Sequence, residues 1–343
     1  MALPSSTYDT ATLVNPGSSL TDFTLIVDLS RMSAAWWSAV DTSDGTKGRA
    51  AKDSGPTELA CDWIDFDSVN ETGLLRVKWS GTLASSGTQT LRVYPPQAAN
   101  ASVTASDAYG SDNAYDSDWT AYWPLHDLND RTANGYDLTA NGGVTVGGAT
   151  GKIGAATDFD GSDDDLTRTN LTVALGQSFS LWHEEWQSGS PFANTDTANV
   201  TAVGLRTPQI GRWDVRWEIS DVSYDRYKTG GATGDVHIFG TSSAGGTVTL
   251  YINGVSQSTG AVGFGQSGTS GELSIGSTAN GNWLGWINEV QYHGVERSAA
   301  WIEHEYEQTN DQATFWGTWT NVPVAAGISI PVVMHHRRMM GVS

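Results

Sequence analysis

The segment from Leu284 to Asn310 constrains the fold of this chain more than any other stretch of its sequence. Its first ten residues, LGWINEVQYH, alternate with a period of two, so that even positions from Trp286 to Tyr292 face one way and odd positions from Ile287 to Gln291 the other. A sheet with one buried face produces this period, because successive strand residues point to opposite faces. The pattern therefore predicts a strand that borders a hydrophobic core.

A short helix is predicted directly after this strand. Ser298 has a side chain suited to an N-cap, and Ile302 and Tyr306 lie four residues apart, on one face of a helix. We expect this helix to lie along the outside of a sheet. Strand, turn and terminal helix together predict the closing part of one large β domain.

The composition favours an all-β fold. The chain has 343 residues, of which 39 are glycine and only 16% are charged, a mixture typical of many turns and few long helices. The net charge of -20 argues against nucleic acid as a partner, because phosphates would be repelled.

The cellular context is predicted from three further features. Cys61 is the single cysteine, so no intrachain disulfide can form. The N-terminal sequence MALPSSTYDTATL lacks the basic and apolar regions of a secretory signal. The longest apolar run, from Val322 to Met334, is interrupted by glycine and proline and is too short for a bilayer. We expect a protein without a signal peptide and without membrane insertion.

A first block of strands is predicted over residues 21–96, after an N-terminal arm of residues 1–20. Phe23–Leu29 is predicted as a buried strand, and the AAWW run at Trp36 as a short turn of helix. Leu74–Trp79 and Thr88–Tyr94 alternate charged and apolar positions, as a sheet with one wet face requires. These elements predict a small β-sandwich domain.

Residues 97–118 are rich in Ala, Ser and Asp and lack a sustained period, so a linker is predicted there. A second domain follows over residues 119–317. Within it, Thr247–Ser256 is predicted as a hairpin, because Asn253-Gly254 accepts the positive φ angles of a two-residue turn. Leu273–Gly276 is predicted as one more inner strand.

Several of these motifs resemble known domains. Leu284–Asn310 resembles the end of laminin-G-like, concanavalin A-like jelly rolls, where a strand of the type G-x-I-D-E-V precedes R-S-x-x-W-I-x-x-E-Y; Asn288 stands in place of the usual Asp. Asp137–Asp164, which ends in FDGSDD, is similar to another part of that pattern. The first block is similar to a small β-sandwich domain that precedes laminin-G-like domains in bacterial and phage proteins. The resemblance implies two β-sandwich domains, the second a concanavalin A-like jelly roll with a short C-terminal helix.

The FDGSDD motif and its two flanking residues form an acidic loop. Asp158, Asp160, Asp163, Asp164 and Asp165 lie within eight residues, and carboxylate oxygens are donors that Ca²⁺ prefers. Laminin-G-like relatives bind calcium at loop ends, so the resemblance implies a Ca²⁺ site at Asp160, Asp163 and Asp164. A solvated acidic turn is the alternative.

Fifteen tryptophans suggest a surface for sugars, because a flat indole can stack on a sugar ring while polar neighbours bind the hydroxyls. Asn282 and Trp283 follow a predicted Asn-Gly turn, which favours an exposed indole. Trp213 lies next to Asp214 in a predicted strand. We expect these four residues to bind a glycan, with core packing as the alternative for Trp213.

Glu303, Glu305 and Glu307 have the i,i+2 spacing of the catalytic carboxylates in concanavalin A-like glucanases. On the predicted helix, however, residues two apart diverge, and the middle Asp of that motif is absent. We therefore expect no enzymatic activity, and a glycan-degrading enzyme is kept as an alternative.

The C-terminal residues 318–343 are predicted to be a docking tail. They are apolar and proline-punctuated and then positively charged, on a body of opposite charge. Exposed β-prone segments seek pairing, so we expect the tail to add a strand to a neighbouring protein. The residues predicted to dock are Val324, Ile328, Ile330, Val332, Arg337 and Arg338. A disordered end is the alternative.

A bacteriophage virion protein made in the host cytoplasm is predicted from four features together. These are the absence of a signal, the absence of a disulfide, the two sandwich modules and the tail. Its expected partners are other virion proteins, bound through the tail, and a host-surface glycan, as for a tail fibre, spike or head fibre. A homo-oligomer is expected, although no heptad pattern supports a coiled coil. A purely structural capsid decoration or tail-surface protein is the alternative from a different class.

Overall fold

The structure is a computed structural model. It describes residues 3–4, 7–14, 18–53, 57–85, 88–184, 192–196, 201–209, 212–219, 222–229, 234–261, 269–278 and 281–323, and for the strands between residues 192 and 229 it describes the backbone alone. Strands dominate these residues, which confirms the all-β prediction.

In the described part of the first hundred residues there are seven strands. They are Tyr8–Val14 (β1), Leu20–Asp28 (β2), Arg49–Lys52 (β3), Thr57–Leu59 (β4), Cys61–Asp67 (β5), Thr72–Leu83 (β6) and Thr88–Tyr94 (β7).

Eighteen more strands follow. They are Trp119–Trp123 (β8), Thr139–Asn141 (β9), Thr145–Thr150 (β10), Ala155–Asp160 (β11), Asp165–Val173 (β12), Ser178–His183 (β13), Phe192–Asp196 (β14), Thr201–Gln209 (β15), Arg212–Ile219 (β16), Val222–Thr229 (β17), Val236–Ser242 (β18), Thr247–Ile252 (β19), Val255–Ala261 (β20), Thr269–Ile275 (β21), Ser277–Thr278 (β22), Gly281–Asn282 (β23), Leu284–His293 (β24) and Thr320–Val322 (β25).

The helices are short. The α-helices are Ala34–Ala39 (α1), Ala299–Asn310 (α2) and Gln312–Trp316 (α3), and single 3₁₀ turns occur at Leu29–Arg31, Gly45–Lys47 and Ser111–Asn113. Helix α2 begins as predicted, since the Ser298 side chain accepts a hydrogen bond from the Trp301 N–H.

The first sandwich packs two antiparallel sheets, with strand orders β25-β1-β7-β3-β4 and β2-β6-β5. Both ends of the described chain belong to it. The predicted arm of residues 1–20 contains β1, an interior strand, and the predicted tail begins with β25, in which Val322 pairs with Tyr8. The sandwich therefore extends beyond residues 21–96, because β1 is completed by a strand about three hundred residues away in the sequence.

The predicted linker of residues 97–118 packs closely on the first sandwich. The Val103 N–H donates to Thr46 O at 3.0 Å, and the Cys61 N–H donates to Tyr109 O at 3.1 Å. Tyr115 is buried and its hydroxyl donates to Asp62 at 2.9 Å. This segment is thus part of the folded body, since its polar groups are satisfied by the sheet beneath it.

The second sandwich is the jelly roll. One sheet has the strand order β10-β11-β24-β13-β18-β19-β20, with β8 also paired to β24, and the facing sheet has the order β17-β16-β15-β14-β21-β12-β9. Asn253 and Gly254 connect β19 to β20 with φ angles of 50° and 73°, which confirms the predicted two-residue hairpin turn.

Helix α2 lies between the two sandwiches. Trp301 contacts Phe23 of β2 at a ring-centroid distance of 5.6 Å and Phe239 of β18 at 5.9 Å. Gln308 binds the backbone of β2 in both directions, accepting from the Ile26 N–H and donating to Thr24 O. A single hydrophobic core therefore runs from the first sandwich through the helix to the outer face of the jelly-roll sheet.

Strand β24 departs from the predicted alternation. Between Asn288 and Gln291 it gains a residue relative to β13, so that Glu289 and Val290 both lie opposite Leu181. Glu289 has a φ of 54°, outside the usual range for a strand. This β-bulge puts Ile287 and Val290 on the core side and directs Glu289 towards the first sandwich.

Of the helices that the structure describes, none has the length and apolarity that a membrane crossing requires.

Candidate functional site

The acidic loop after β11 brings the three predicted metal ligands together. Carboxylate oxygens of Asp160, Asp163 and Asp164 all lie within 4.8 Å of one another. Asp160 and Asp163 are exposed, while Asp164 is buried and accepts a hydrogen bond from the Asp160 N–H at 2.9 Å. We call these three residues the loop cluster, and its oxygens are the hard donors that suit a divalent cation.

The loop cluster concentrates negative charge. Burial, together with the charges of Asp160, Asp163 and Asp158, raises the pKa of Asp164 above its ordinary value. The same repulsion that raises this pKa would be relieved by a bound cation. The cluster therefore has the electrostatics of a cation site as well as the donor set.

Asn282 lies beside the loop cluster. In the pairing of β11 with β24, Asp160 is opposite Leu284, so the two residues before Leu284 are carried to the start of the loop. The Asn282 amide donates to Ser162 O within the loop. The structure thus brings one predicted glycan-binding residue and the three predicted calcium ligands to one end of the jelly roll.

Trp283 does not lie on the surface, and the prediction of an exposed indole is wrong. Its side chain is fully buried in the jelly-roll core and packs edge-on against His183 at 4.9 Å. The chain folds back through β22 and β23, and the Trp283 N–H donates to Gly276 O. A turn signal beside an aromatic residue does not specify which side of the turn the aromatic residue takes.

Two groups of predicted residues fall outside what the structure describes. Trp213 and Asp214 lie in β16, for which the backbone alone is described. The predicted docking residues Val324, Ile328, Ile330, Val332, Arg337 and Arg338 also lie outside the described residues.

A buried charge network joins the two sandwiches and was not predicted. Arg76 of β6 lies 2.5 Å from Glu289 of β24 and 3.1 Å from Glu305 of α2, and all three side chains have no solvent exposure. The Tyr122 hydroxyl donates to Glu289 at 2.8 Å. Burial raises the pKa of Tyr122 well above its ordinary value, so the phenol keeps its proton. We call these four residues the interface network.

The interface network also accounts for the glutamate triplet. Glu305 is bound by Arg76 in the interior, whereas Glu303 is exposed and Glu307 is half-buried. The three carboxylates diverge around helix α2, as predicted from its period. They do not face one another across a sugar site, which is the geometry that a retaining or inverting glycosidase needs.

Sequence reasoning missed the interface network because its members come from three distant segments, of which Leu284–Asn310 contains both glutamates. One signal was available: an arginine at the centre of the apolar run LLRVKW requires a buried partner if that strand is covered on both faces. The partner itself could not be read from the sequence, because a β-bulge determines the direction of Glu289.

Neither a scan of protein-family models nor a search of curated proteins found a match to this chain. Solved structures do match. Domain 4 of AbnA, a GH43 extracellular arabinanase from Geobacillus stearothermophilus solved with arabinotriose, is 23% identical, with a TM-score of 0.47 over 54% of this chain and 96% of that domain.

Receptor-binding domains of botulinum neurotoxins also match. The serotype D binding domain is 16% identical, with a TM-score of 0.46 over 55% of this chain and 51% of its own length. The type G receptor-binding domain is 14% identical, with a TM-score of 0.43 over 56% of this chain and 51% of its own length. This chain spans about half of these toxin domains. At such TM-scores we infer neither ligand nor activity from the likeness.

Proposed function

We propose that this chain is a surface-exposed bacteriophage virion protein whose jelly roll binds a host-surface glycan with the help of Ca²⁺. The observation that carries the proposal is the meeting of the loop cluster with Asn282 at one end of the jelly roll. Three carboxylates supply part of the oxygen shell of Ca²⁺, and sugar hydroxyls can complete it. The amide of Asn282 would fix the orientation of the sugar.

The virion part of the proposal depends on the C-terminal segment. Strand β25 ends at Val322, on the edge of the first sheet, and the predicted docking residues follow directly. A sheet edge is a site where a further strand can be added. The segment from residue 324 onwards would bind other virion proteins and leave the jelly roll exposed. The proposed role requires no covalent chemistry.

Calcium binding is tested by titrating CaCl₂ into the protein in a calorimeter. We expect Asp163→Asn to weaken binding at least tenfold, because one charged ligand is lost. Asp235→Asn is the matched control, since Asp235 is exposed, lies outside the cluster and changes the net charge equally. Equal binding by the two variants would exclude the loop cluster as the cation site.

Glycan binding is tested on an array of bacterial surface glycans with CaCl₂ and with EGTA. The proposal expects glycan signals that EGTA and Asp163→Asn remove and that Asp235→Asn retains. Signals that survive both treatments would place the glycan elsewhere, and no signal in CaCl₂ would overturn the lectin function.

Virion docking is tested with a chain that ends at Pro323. It keeps β25, so the first sheet is intact, and lacks residues 324–343, which contain the predicted docking residues. Antibody-gold labelling of purified particles should mark tail tips or projecting fibres with the full chain and nothing with the shortened one. A complete absence of label with the full chain would overturn the virion proposal.

A structural role, as a capsid decoration or tail-surface protein, is the second candidate. Among the described side chains, the large hydrophobic residues that are exposed are Val69 and Val255, so in that part of the chain no tryptophan is largely exposed to a sugar. Uniform gold label over the head, with no glycan signal, would favour this candidate.

A further inference from the structure

A cleft of about 480 Å³ lies between the two sandwiches. One wall comes from the first sandwich, at the end of β2, in β5 and at the start of β6, and the other comes from the jelly roll, at β10 and the segment Pro124–His126. We propose that this cleft binds a small, uncharged sugar of one or two rings, independently of the loop cluster and without a cation. Its volume lies within the range of about 300–1,000 Å³ of small-molecule sites.

The walls of the cleft are held at a fixed spacing. A Cβ atom at Gly147, whose φ is 66°, would lie 2.7 Å from His126 O, and one at Gly154 would lie 3.0 Å from Leu74 of the opposite sandwich. Glycine therefore permits the close approach of the backbone on the jelly-roll side. The interface network fixes the two sandwiches relative to each other. The cleft is thus preformed, which reduces the ordering cost of binding.

Two residues at the cleft have positive φ angles, which residues other than glycine seldom adopt. Leu125, between the lining residues Pro124 and His126, has a φ of 67°, and Asp65, which lines the cleft, has a φ of 49°. A branched residue such as leucine rarely adopts a positive φ, and such strain persists where the surrounding structure imposes it. Here it sets the course of the chain from Pro124 to His126, both of which line the cleft.

The polar groups of the lining suit hydroxyl groups. Asp28 and Asp65 supply acceptors, and Ser30, Thr72 and Thr150 supply hydroxyls that both donate and accept. The Asp28 carboxylate already accepts from the Ser30 N–H at 2.9 Å and the Ser30 hydroxyl at 2.7 Å, so its direction is set before a ligand arrives.

His126 adds a buried polar atom. Its Nε2 atom lies 3.3 Å from Asp127, and its Nδ1 atom is buried with no hydrogen-bond partner among the described residues. A buried polar atom without a partner is unfavourable, by about 1–3 kcal/mol. The atom is out of reach of solvent in this structure, so a sugar hydroxyl in the cleft would satisfy it after a rotation of the imidazole.

The charge of the lining determines which sugars fit. It contains two carboxylates and, among the described residues, neither lysine nor arginine, so sialic acids, uronic acids and phosphates would be repelled. Among the described residues, the lining contains no Phe, Tyr or Trp ring to hold an ammonium group by cation–π contact. Ile64, Leu74 and Pro124 provide apolar surface for the C–H face of a pyranose. A neutral sugar matches all three properties.

The test is binding of lactose and of its anionic analogue 3′-sialyllactose, together with a panel of neutral mono- and disaccharides, by saturation-transfer NMR in EGTA. Thr72→Trp fills the cleft from its exposed rim. Thr82→Trp is the matched control, because Thr82 is an exposed threonine on the same strand outside the cleft. His126→Phe removes the polar atoms of the imidazole and keeps a ring.

We expect at least one neutral sugar of the panel to bind in EGTA. Its binding should be lost in Thr72→Trp and about tenfold weaker in His126→Phe. Its affinity should be unchanged in Thr82→Trp and Asp163→Asn. The proposal is overturned if no neutral sugar binds, if Thr72→Trp binds as the wild type does, or if 3′-sialyllactose binds more tightly than lactose. Binding that requires Ca²⁺ and is lost in Asp163→Asn would assign the sugar to the loop cluster instead, so failure of the cleft is distinct from failure of the proposed function.

Discussion

The guanidinium of Arg76, on the first sandwich, lies 2.5 Å from the carboxylate of Glu289, on the jelly roll, and neither side chain has any solvent exposure. Arg76 also binds Glu305 of helix α2. One buried cation thus connects the three parts of the molecule. Burial is the main cause that raises the pKa of Glu289, and the charge of Arg76 opposes it.

Replacing Arg76 should therefore be strongly destabilising. In Arg76→Met both carboxylates remain buried without a cation, and we expect the free energy of unfolding to fall by about 3–5 kcal/mol. Urea unfolding followed by tryptophan fluorescence measures this. The additional changes Glu289→Gln and Glu305→Gln should restore part of the loss, because they remove the unpaired charges.

Arg92→Met is the matched control for this prediction. Arg92 pairs with Asp53 at the surface, where the Asp53 side chain is 46% exposed. Surface pairs of this kind contribute about 0–1 kcal/mol. Similar losses for Arg76→Met and Arg92→Met would mean that the interface network does not hold the sandwiches together.

The burial of Trp283 changes the expected effect of its mutation. Trp283→Ala should destabilise the fold by about 3–5 kcal/mol, because a fully buried indole is replaced by a cavity. Trp283→Phe should lose less stability than Trp283→Ala, since an aromatic ring remains against His183. Thermal unfolding of the two variants tests this. Unfolding of Trp283→Ala at the wild-type temperature would show that the indole is not part of the core.

Substitutions at two glycines distinguish the effect of steric clash from that of backbone strain. Gly276 and Gly143 both have positive φ angles, of 90° and 106°. A Cβ at Gly276 would lie 2.2 Å from the Phe159 ring, whereas a Cβ at Gly143 would meet no atom within 4 Å. We expect Gly143→Ala to destabilise the protein by about 1 kcal/mol and Gly276→Ala by about 2–4 kcal/mol. Equal effects in urea unfolding would contradict the packing of Phe159 against Gly276.

The sequence predicted the local elements of this fold better than the contacts between distant elements. The hairpin at Asn253-Gly254 and the helix after Ser298 were predicted correctly, because the turn and the cap are specified by a few adjacent residues. Strand β24 was also predicted, but its alternation fails at Glu289. The bulge there follows from pairing with β13 and from the contact with Arg76, which lies 213 residues away.

The candidate site was predicted in part for the same reason. The three aspartates of the loop cluster are close in sequence, so their proximity in space follows from a single loop. The cleft could not be predicted, because Asp28, Thr72, His126 and Gly147 come from four separate segments. Their proximity depends on how the two sandwiches pack, which no local pattern encodes.

Buried histidines should make the stability of this protein depend on pH. Burial, with a further contribution from His183, lowers the pKa of His237 to about 3, and burial lowers the pKa of His183 to about 4. Both histidines are therefore neutral in the folded protein, while in the unfolded chain each takes up a proton below its ordinary pKa of about 6.5. The unfolded state then binds more protons than the folded state. The stabilisation from the two neutral histidines is therefore fully present above about pH 6.5 and is lost as the pH falls towards the folded pKa values. For each histidine the loss is about 1.4 kcal/mol per pH unit.

His237→Phe measures the contribution of His237 alone to this pH dependence. The ring packs on Trp182 at a centroid distance of 5.0 Å, and its two nitrogens have no hydrogen-bond partner among the described residues, so phenylalanine keeps the packing and removes no bond. We expect a variant as stable as the wild type at pH 7.5, with unfolding free energies that fall less steeply between pH 6 and pH 4, by about 1.4 kcal/mol per pH unit. The effects of the carboxylates are common to both proteins and cancel in the difference, and so does the effect of His183 above about pH 5, where it is neutral in both folded proteins. Parallel pH profiles from urea unfolding would mean that His237 is protonated inside the fold, in which case Trp182 and Tyr306 would hold a charged ring and not a neutral one.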